Sequence, residues 1–325
     1  MPALRSVSMP CELHHHWEAF VLTNQMPALK HRYLDLASME ALRHVRLRPR
    51  GEAEGTFAGP HKSHFRGTAV EFADYREYAP GDDIRLVDWK VFARSDRHYV
   101  RLYDAERNLL TYLVVDKSGS MEFAGAVRTT ASKLEYASRL AAALGYLVVR
   151  EGDEVGLSLA DTTLHRHLPP SASWAHLNRI LDALDHARSD GQTDLASCLE
   201  QVFARIRRRG VLVVFSDFLD VAPSFWKRID LFRRSRFDVI LFHVVHPEEL
   251  DLPALAAARF METEGGGGHF NAEPDTVRGL YRRRFDAFLQ EIKAGCQARG
   301  CDWFLAKTSD DPYGFLRNCF LERGA

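Results

Sequence analysis

Residues 109–121 read LLTYLVVDKSGSM. An apolar run, interrupted only by Thr111, stops at Asp116, and two hydroxyls follow at Ser118 and Ser120. A strand that is apolar along its length is buried on both faces, as a parallel strand covered by helices is. A second stretch ends in the same way: VLVVFSD, 211–217, closes on Asp217. Around these two, strand-like stretches at 154–160, 238–245 and 301–307 alternate with helix-like stretches at 131–150, 172–187, 194–208, 222–235 and 275–298. In the first of those helices Leu134, Ala137, Leu140, Ala141, Leu144 and Val148 recur at three- and four-residue steps. The alternation predicts an α/β fold, a doubly wound and mostly parallel sheet flanked by helices.

Upstream the pattern changes. Residues 28–48 carry helix-like spacing, and the Gly-rich basic passage at 48–72 reads as loop or irregular strand. Pro80-Gly81 makes a turn, Asp82 or Asp83 caps a short helix through about Ala93, and HYVRLYDAE (98–106) alternates like a half-exposed strand. ETEGGGGHFNAEP (262–274) reads as a flexible loop before the last long helix. His14-His15-His16 cannot share one face of a helix or strand, so it is not taken as a metal site. Met26 offers a second start, which would make the first 25 residues dispensable.

Composition narrows the function classes. With 46% hydrophobic and 27% charged residues in 325, the chain can build one large domain and an appendage. A net charge of -1 gives no general pull toward nucleic acid or anionic lipid, so neither is expected as a partner. The basic clusters RIRRRG (205–210), RRSR (233–236) and YRRRF (281–285) read as solvated helix faces. Five scattered cysteines, Cys11, Cys198, Cys296, Cys301 and Cys319, form no CxxC pair and imply a reducing compartment. No apolar run approaches the ~18 residues a membrane helix needs, and the N-terminus lacks a signal-peptide pattern. A cytoplasmic protein without membrane insertion is expected.

In open α/β sheets ligands bind beyond the carboxyl ends of the strands. Three polar segments should converge there: DKSGS (116–120), DFLD (217–220) and the pre-helix loop DGQTDL (190–195). They bring Asp116, Ser118, Ser120, Thr193 and Asp217, two carboxylates and three hydroxyls with no histidine or thiolate. Hard oxygen donors of this kind suit Mg²⁺ or Mn²⁺ rather than Zn²⁺. Each segment alone is also ordinary turn or helix-cap chemistry; the coincidence of all three in order is what points to a metal.

D-x-S-x-S, a later Thr in G-x-T-D and a strand-terminal Asp resemble the metal-ion-dependent adhesion site of von Willebrand factor A domains, with all five positions matched over roughly residues 106–310. The preceding segment resembles the signature of the domain-of-unknown-function 58 family in Arg76, Tyr78, Gly81, Asp82, Asp83, Arg85, Asp88, Trp89, Ala93 and Arg94. The resemblance implies a von Willebrand factor A-like, Rossmann-type domain at 106–310. It also implies a family-specific extension of short helix and strands at 28–105; a mobile segment at 1–27 and a C-terminal segment at 311–325 complete the expected organisation. It further implies a protein partner that contributes a carboxylate to the metal, with a MoxR-type AAA+ ATPase as that partner or as the machine acting on it. The charged signature residues are expected to form a structural ion-pair network around Trp89, since charges go inside only when paired, with a partner-binding surface as the alternative.

The competing reading is a magnesium-dependent phosphohydrolase on a similar sheet. A haloacid-dehalogenase-type enzyme needs a second Asp two residues after the first, and here that position is Ser118. There is no G-x-x-x-x-G-K-[ST] for an ATPase and no G-x-S-x-G for a serine hydrolase. The expectation is therefore an interaction module, with no assignable catalytic acid, base or nucleophile.

Overall fold

A computed structural model describes residues 31–35, 38–50, 71–79, 82, 84, 87–95, 97–104, 109–125, 131–189, 191–192, 194–219, 221–251, 258–261, 269–272 and 274–324. The expectations for residues 1–27, the histidine run included, and for most of the Gly-rich passage lie outside those residues. The described residues divide into two compact units, one holding those up to 50 and from 110 onward, the other those from 71 to 109.

In the smaller unit β1 (Glu71–Glu77) pairs antiparallel with β2 (Tyr99–Asp104), and α1 (Trp89–Ser95) lies between them in sequence. Asp88 rather than Asp82 caps α1, its Oδ1 accepting from Lys90 N at 2.9 Å and Val91 N at 3.3 Å, and Asp83 lies outside the described residues. Tyr75 Oη donates to Asp88 Oδ2 at 2.8 Å, which satisfies this buried carboxylate. Asp82 instead closes the preceding turn, accepting from Ala79 N at 2.8 Å and pairing with Arg76 at 2.8 Å. Of the charged residues expected to form a network around Trp89, Asp83 and Arg85 lie outside the described residues. Trp89 is 56% exposed, and its ring makes edge-to-face pairs with Phe92 at 6.1 Å and His98 at 6.4 Å.

Among the described residues of the larger unit, a six-stranded sheet runs in the order β10-β7-β6-β3-β4-β5. Its strands are β3 (Leu110–Asp116), β4 (Glu154–Ala160), β5 (Leu164–Ser171), β6 (Val211–Ser216), β7 (Asp238–Val245) and β10 (Asp302–Lys307). All neighbours are parallel except β5, which runs antiparallel along the edge. The helices are α2 (Lys133–Arg150), α3 (Trp174–Asp185), α4 (Leu195–Arg205), α5 (Pro223–Arg234), the single turn α6 (Pro247–Leu250), α7 (Pro274–Gln297) and α8 (Pro312–Gly324). Every residue of β3, β6 and β7 is buried, as strands covered on both faces require. On one face Tyr112, Val114, Leu212, Val214 and Leu241 meet Leu199, Phe225, Ile229, Phe232 and Ile292 of α4, α5 and α7. On the other, Phe215, Phe242 and Phe304 stack across three strands at 5.1 and 5.6 Å, and Phe315 of α8 closes on Phe242 at 5.8 Å. The fold is the expected α/β sheet flanked by helices.

The structure departs from or adds to the expectation at four places. Residues 31–50 form no long helix; among those described, only a 3₁₀ turn at Ser38–Leu42 is helical. Their apolar residues Tyr33, Leu34, Met39, Leu42, Val45 and Leu47 are buried, while Arg150 donates to the carbonyls of Leu42 and Val45 at 3.2 and 3.0 Å and Arg323 to that of Arg48. Carbonyls taken up by long-range arginines do not need intrahelical partners. The edge strand β5 carries Pro169-Pro170, which reads against a strand, yet proline is tolerated at an edge. Gly156 lets β5 approach: a Cβ there would stand 2.8 Å from the Leu168 carbonyl oxygen. Part of the expected loop at 262–274 is strand: β9 (His269–Ala272) pairs antiparallel with β8 (Ala258–Met261) as a small hairpin. The segment at 311–325 is largely α8, anchored by Arg323, which pairs with the buried Asp238 and Asp302.

Candidate functional site

The chain leaves β3 toward β4 and leaves β6 toward β7 on the opposite side, so the strand order reverses between β3 and β6. A crevice opens beyond the carboxyl ends of the strands at such a reversal. Asp116 ends β3, and Asp217 directly follows β6.

Asp116 is fully buried. Its Oδ1 accepts from Ser118 N at 2.9 Å, the turn a carboxylate makes with the backbone two residues on. Its Oδ2 accepts from Ser216 Oγ at 2.6 Å, so the neighbouring strand orients it. A 3₁₀ turn, Gly119–Glu122, then places Ser120 Oγ 3.2 Å from Ser118 Oγ. Ser120 also hydrogen-bonds the Asp217 carboxylate. Four of the five expected residues, Asp116, Ser118, Ser120 and Asp217, are thus linked in one buried polar cluster. Thr193 lies outside the described residues. Its loop is tied to the cluster by Gly119 N, which donates to Gly191 O at 2.9 Å, and Asp194 caps α4 through Ser197 N at 2.9 Å.

The two carboxylates differ in charge state. Burial, and then the Asp217 charge, push Asp116 up to about 7 against the hydrogen bonds from Ser216 and Ser118. Burial would raise Asp217 too, but the Lys133 ammonium and its hydrogen bonds hold it below the usual carboxylate range. Lys133 Nζ lies 2.6 Å from Asp217 Oδ2 and 2.6 Å from Glu249 Oε1. Burial opposes its charge, yet the pair of carboxylates raises it above the ordinary lysine value. His243 on β7 is pulled down to about 4, chiefly by burial, and is neutral near pH 7. Beside the cluster, Lys117 Nζ pairs with Asp161 Oδ2 at 2.7 Å, and His165 Nε2 reaches the same oxygen at 2.7 Å.

Chemically this is a set of hard oxygen donors with an excess of negative charge. Two carboxylates whose ionisations oppose each other accommodate a cation between them, and hydroxyl and carboxylate oxygens are what Mg²⁺ takes. The sequence reading missed Ser216, Lys133 and Glu249. Lys133 did leave a local signal. It opens α2 behind a Ser132–Glu135 capping box, where a cation faces the positive end of the helix dipole and needs a carboxylate partner elsewhere. Glu249 lies 116 residues further on and leaves no such signal.

The family model described as "Protein of unknown function DUF58" matches residues 74–293. Uncharacterized proteins of Mycobacterium tuberculosis (strain H37Rv) and Mycobacterium bovis are each 31% identical over 275 residues, covering 83% of this chain and 85% of theirs. Among solved structures, the chain is similar to the conserved hypothetical protein BatB from Bacteroides thetaiotaomicron. The TM-score is 0.43 at 13% identity, over 67% of this chain and 99% of that one. It is also similar to the SpRpn10 VWA domain, with a TM-score of 0.38 at 11% identity, over 66% and 95% of the two chains.

Proposed function

The chain belongs to the DUF58 family, and from that premise we propose that it is a metal-dependent protein-interaction module. In this reading Mg²⁺ or Mn²⁺ is held by Asp116, Ser118, Ser120, Thr193 and Asp217, the set matched to the adhesion-site pattern. The ion supplies an electropositive coordination position that an Asp or Glu of a partner protein fills. The chain's own residues do the rest. Ser216 and the Ser118 N–H aim Asp116, Ser120 links the two halves of the site, and the site lies beyond the carboxyl ends of β3 and β6, where the strand order reverses.

The observation that carries this reading is Asp116 itself. A fully buried carboxylate facing a second carboxylate is costly unless a positive charge joins it, and its ionisation is correspondingly opposed. The same reading is non-enzymatic, since the position two residues after Asp116 holds Ser118 rather than an acid. The partner proposed is a MoxR-type AAA+ ATPase, on the family resemblance, with assembly or chaperone-like maturation of protein complexes as the shared task. A cytoplasmic location belongs to the proposal. The cysteine pattern supports it, and among the described residues no helix is long and apolar enough to cross a membrane.

Titration calorimetry with Mg²⁺ and Mn²⁺ tests the metal. One site is expected in the native chain and none in Asp116→Ala, whose circular dichroism stays native-like; unchanged affinity in that variant refutes the assignment. Pull-down of the ATPase with and without EDTA tests the partner, and equal recovery in both lanes removes the metal from the docking surface.

A further inference from the structure

Lys133 is a cation in the cluster that the adhesion-site pattern does not call for. It is the first residue of α2, its side chain is 1% exposed, and it reaches carboxylates from two other elements, Asp217 after β6 and Glu249 on α6. Glu249 cannot simply swing away, because its Oε2 accepts from His246 N at 2.7 Å in the capping box of α6. Lys133 is anchored at its backbone as well, its N–H donating to Phe123 O at 3.1 Å, while the Phe123 ring packs edge-on against His246 at 5.1 Å. A buried ammonium persists only with such pairing.

Charge counting gives this arrangement a consequence. Fully ionised, Asp116, Asp217 and Glu249 bring three negative charges and Lys133 one positive, a balance that a divalent cation takes to zero. Lys133 already occupies Oδ2 of Asp217, so an incoming cation has to share that carboxylate with it. We propose that Lys133 is a tethered counter-cation that competes with the divalent cation for Asp217 and sets the affinity of the site. The inference rests on the metal reading above and deepens it. With Lys133 in place the metal-loaded cluster is neutral and accepts a partner's carboxylate; without it the metal binds more tightly, but the loaded cluster stays negative and repels that carboxylate. Lys133 thus trades retention of the metal for capture of the partner.

The test is calorimetric titration of the full chain with Mn²⁺ alone, comparing the native protein with Lys133→Met and Lys133→Arg. Removing one positive charge a few ångströms from a divalent ion in a poorly screened site should tighten binding by about tenfold or more. Lys133→Arg, which keeps the charge, should stay close to the native value, an outcome that a purely structural role for Lys133 would not produce. Should Lys133→Met fail to fold, Lys133→Gln carries the same expectation with its hydrogen bonds partly retained. Unchanged or weaker Mn²⁺ binding in a folded neutral variant overturns the inference while leaving the metal reading intact. No Mn²⁺ binding by the native chain or by either neutral variant refutes the metal reading and this inference with it.

Discussion

Asp116→Asn keeps the shape of the side chain and removes its charge, so it isolates the electrostatic cost at the centre of the site. In the metal-free protein, burial and then the Asp217 charge raise this carboxyl from 3.8 to about 7. The folded value lies above the unfolded one. Its contribution to stability is therefore fully present below about pH 4 and is lost as pH rises through about 7. At about 1.4 kcal/mol per unit the full cost is about 4 kcal/mol, and linkage assigns about 2 kcal/mol of it to the interval between pH 5.5 and 8.5. The asparagine carries no such dependence, but it must still accept from both Ser216 Oγ and Ser118 N, and losing one of those bonds costs about 1–2 kcal/mol at every pH. In EDTA the variant should thus nearly match the native protein at pH 5.5 and exceed it by about 2 kcal/mol at pH 8.5. Urea denaturation followed by far-ultraviolet circular dichroism at the two pH values measures this directly. A difference that does not change with pH, or a native protein that gains on the variant as pH rises, would show that Asp116 bears no such charge penalty.

Metal affinity should run the other way with pH. Below about 7 the cation must displace a proton from Asp116, so apparent Mn²⁺ affinity should fall about tenfold per pH unit, readable by calorimetry from pH 8 to 5.5. At the sheet edge, Gly156→Ala places a Cβ 2.8 Å from the Leu168 carbonyl oxygen and 3.0 Å from Pro170 N, both on β5. A loss of about 1–3 kcal/mol is expected from pushing that strand away; a Tm equal to that of the native chain would mean the edge strand yields without cost.

Much of the fold was legible because its signals are local. The apolar runs ending at Asp116 and at Ser216-Asp217 announce strands covered on both faces, and the three- and four-residue steps from Leu134 to Val148 announce the helix between. Elements whose form depends on distant partners were not legible. The segment at 31–50 has the apolar spacing of a helix, but its carbonyls are claimed by Arg150 and Arg323. β5 carries two prolines, which read against a strand but which an edge position tolerates.

The same line divides the site. The chain alone determined that Asp116, Ser118 and Ser120 follow one buried strand and that Asp217 follows another, since both facts are matters of order along the sequence. Only the tertiary structure decided that β3 and β6 lie side by side, that Ser216 orients Asp116, and that Lys133 is enclosed between Asp217 and Glu249. Local periodicity reports which residues are buried, but the pairing that makes a buried charge tolerable joins residues 84 and 116 positions apart. Such a pairing exists only once the sheet has brought them together.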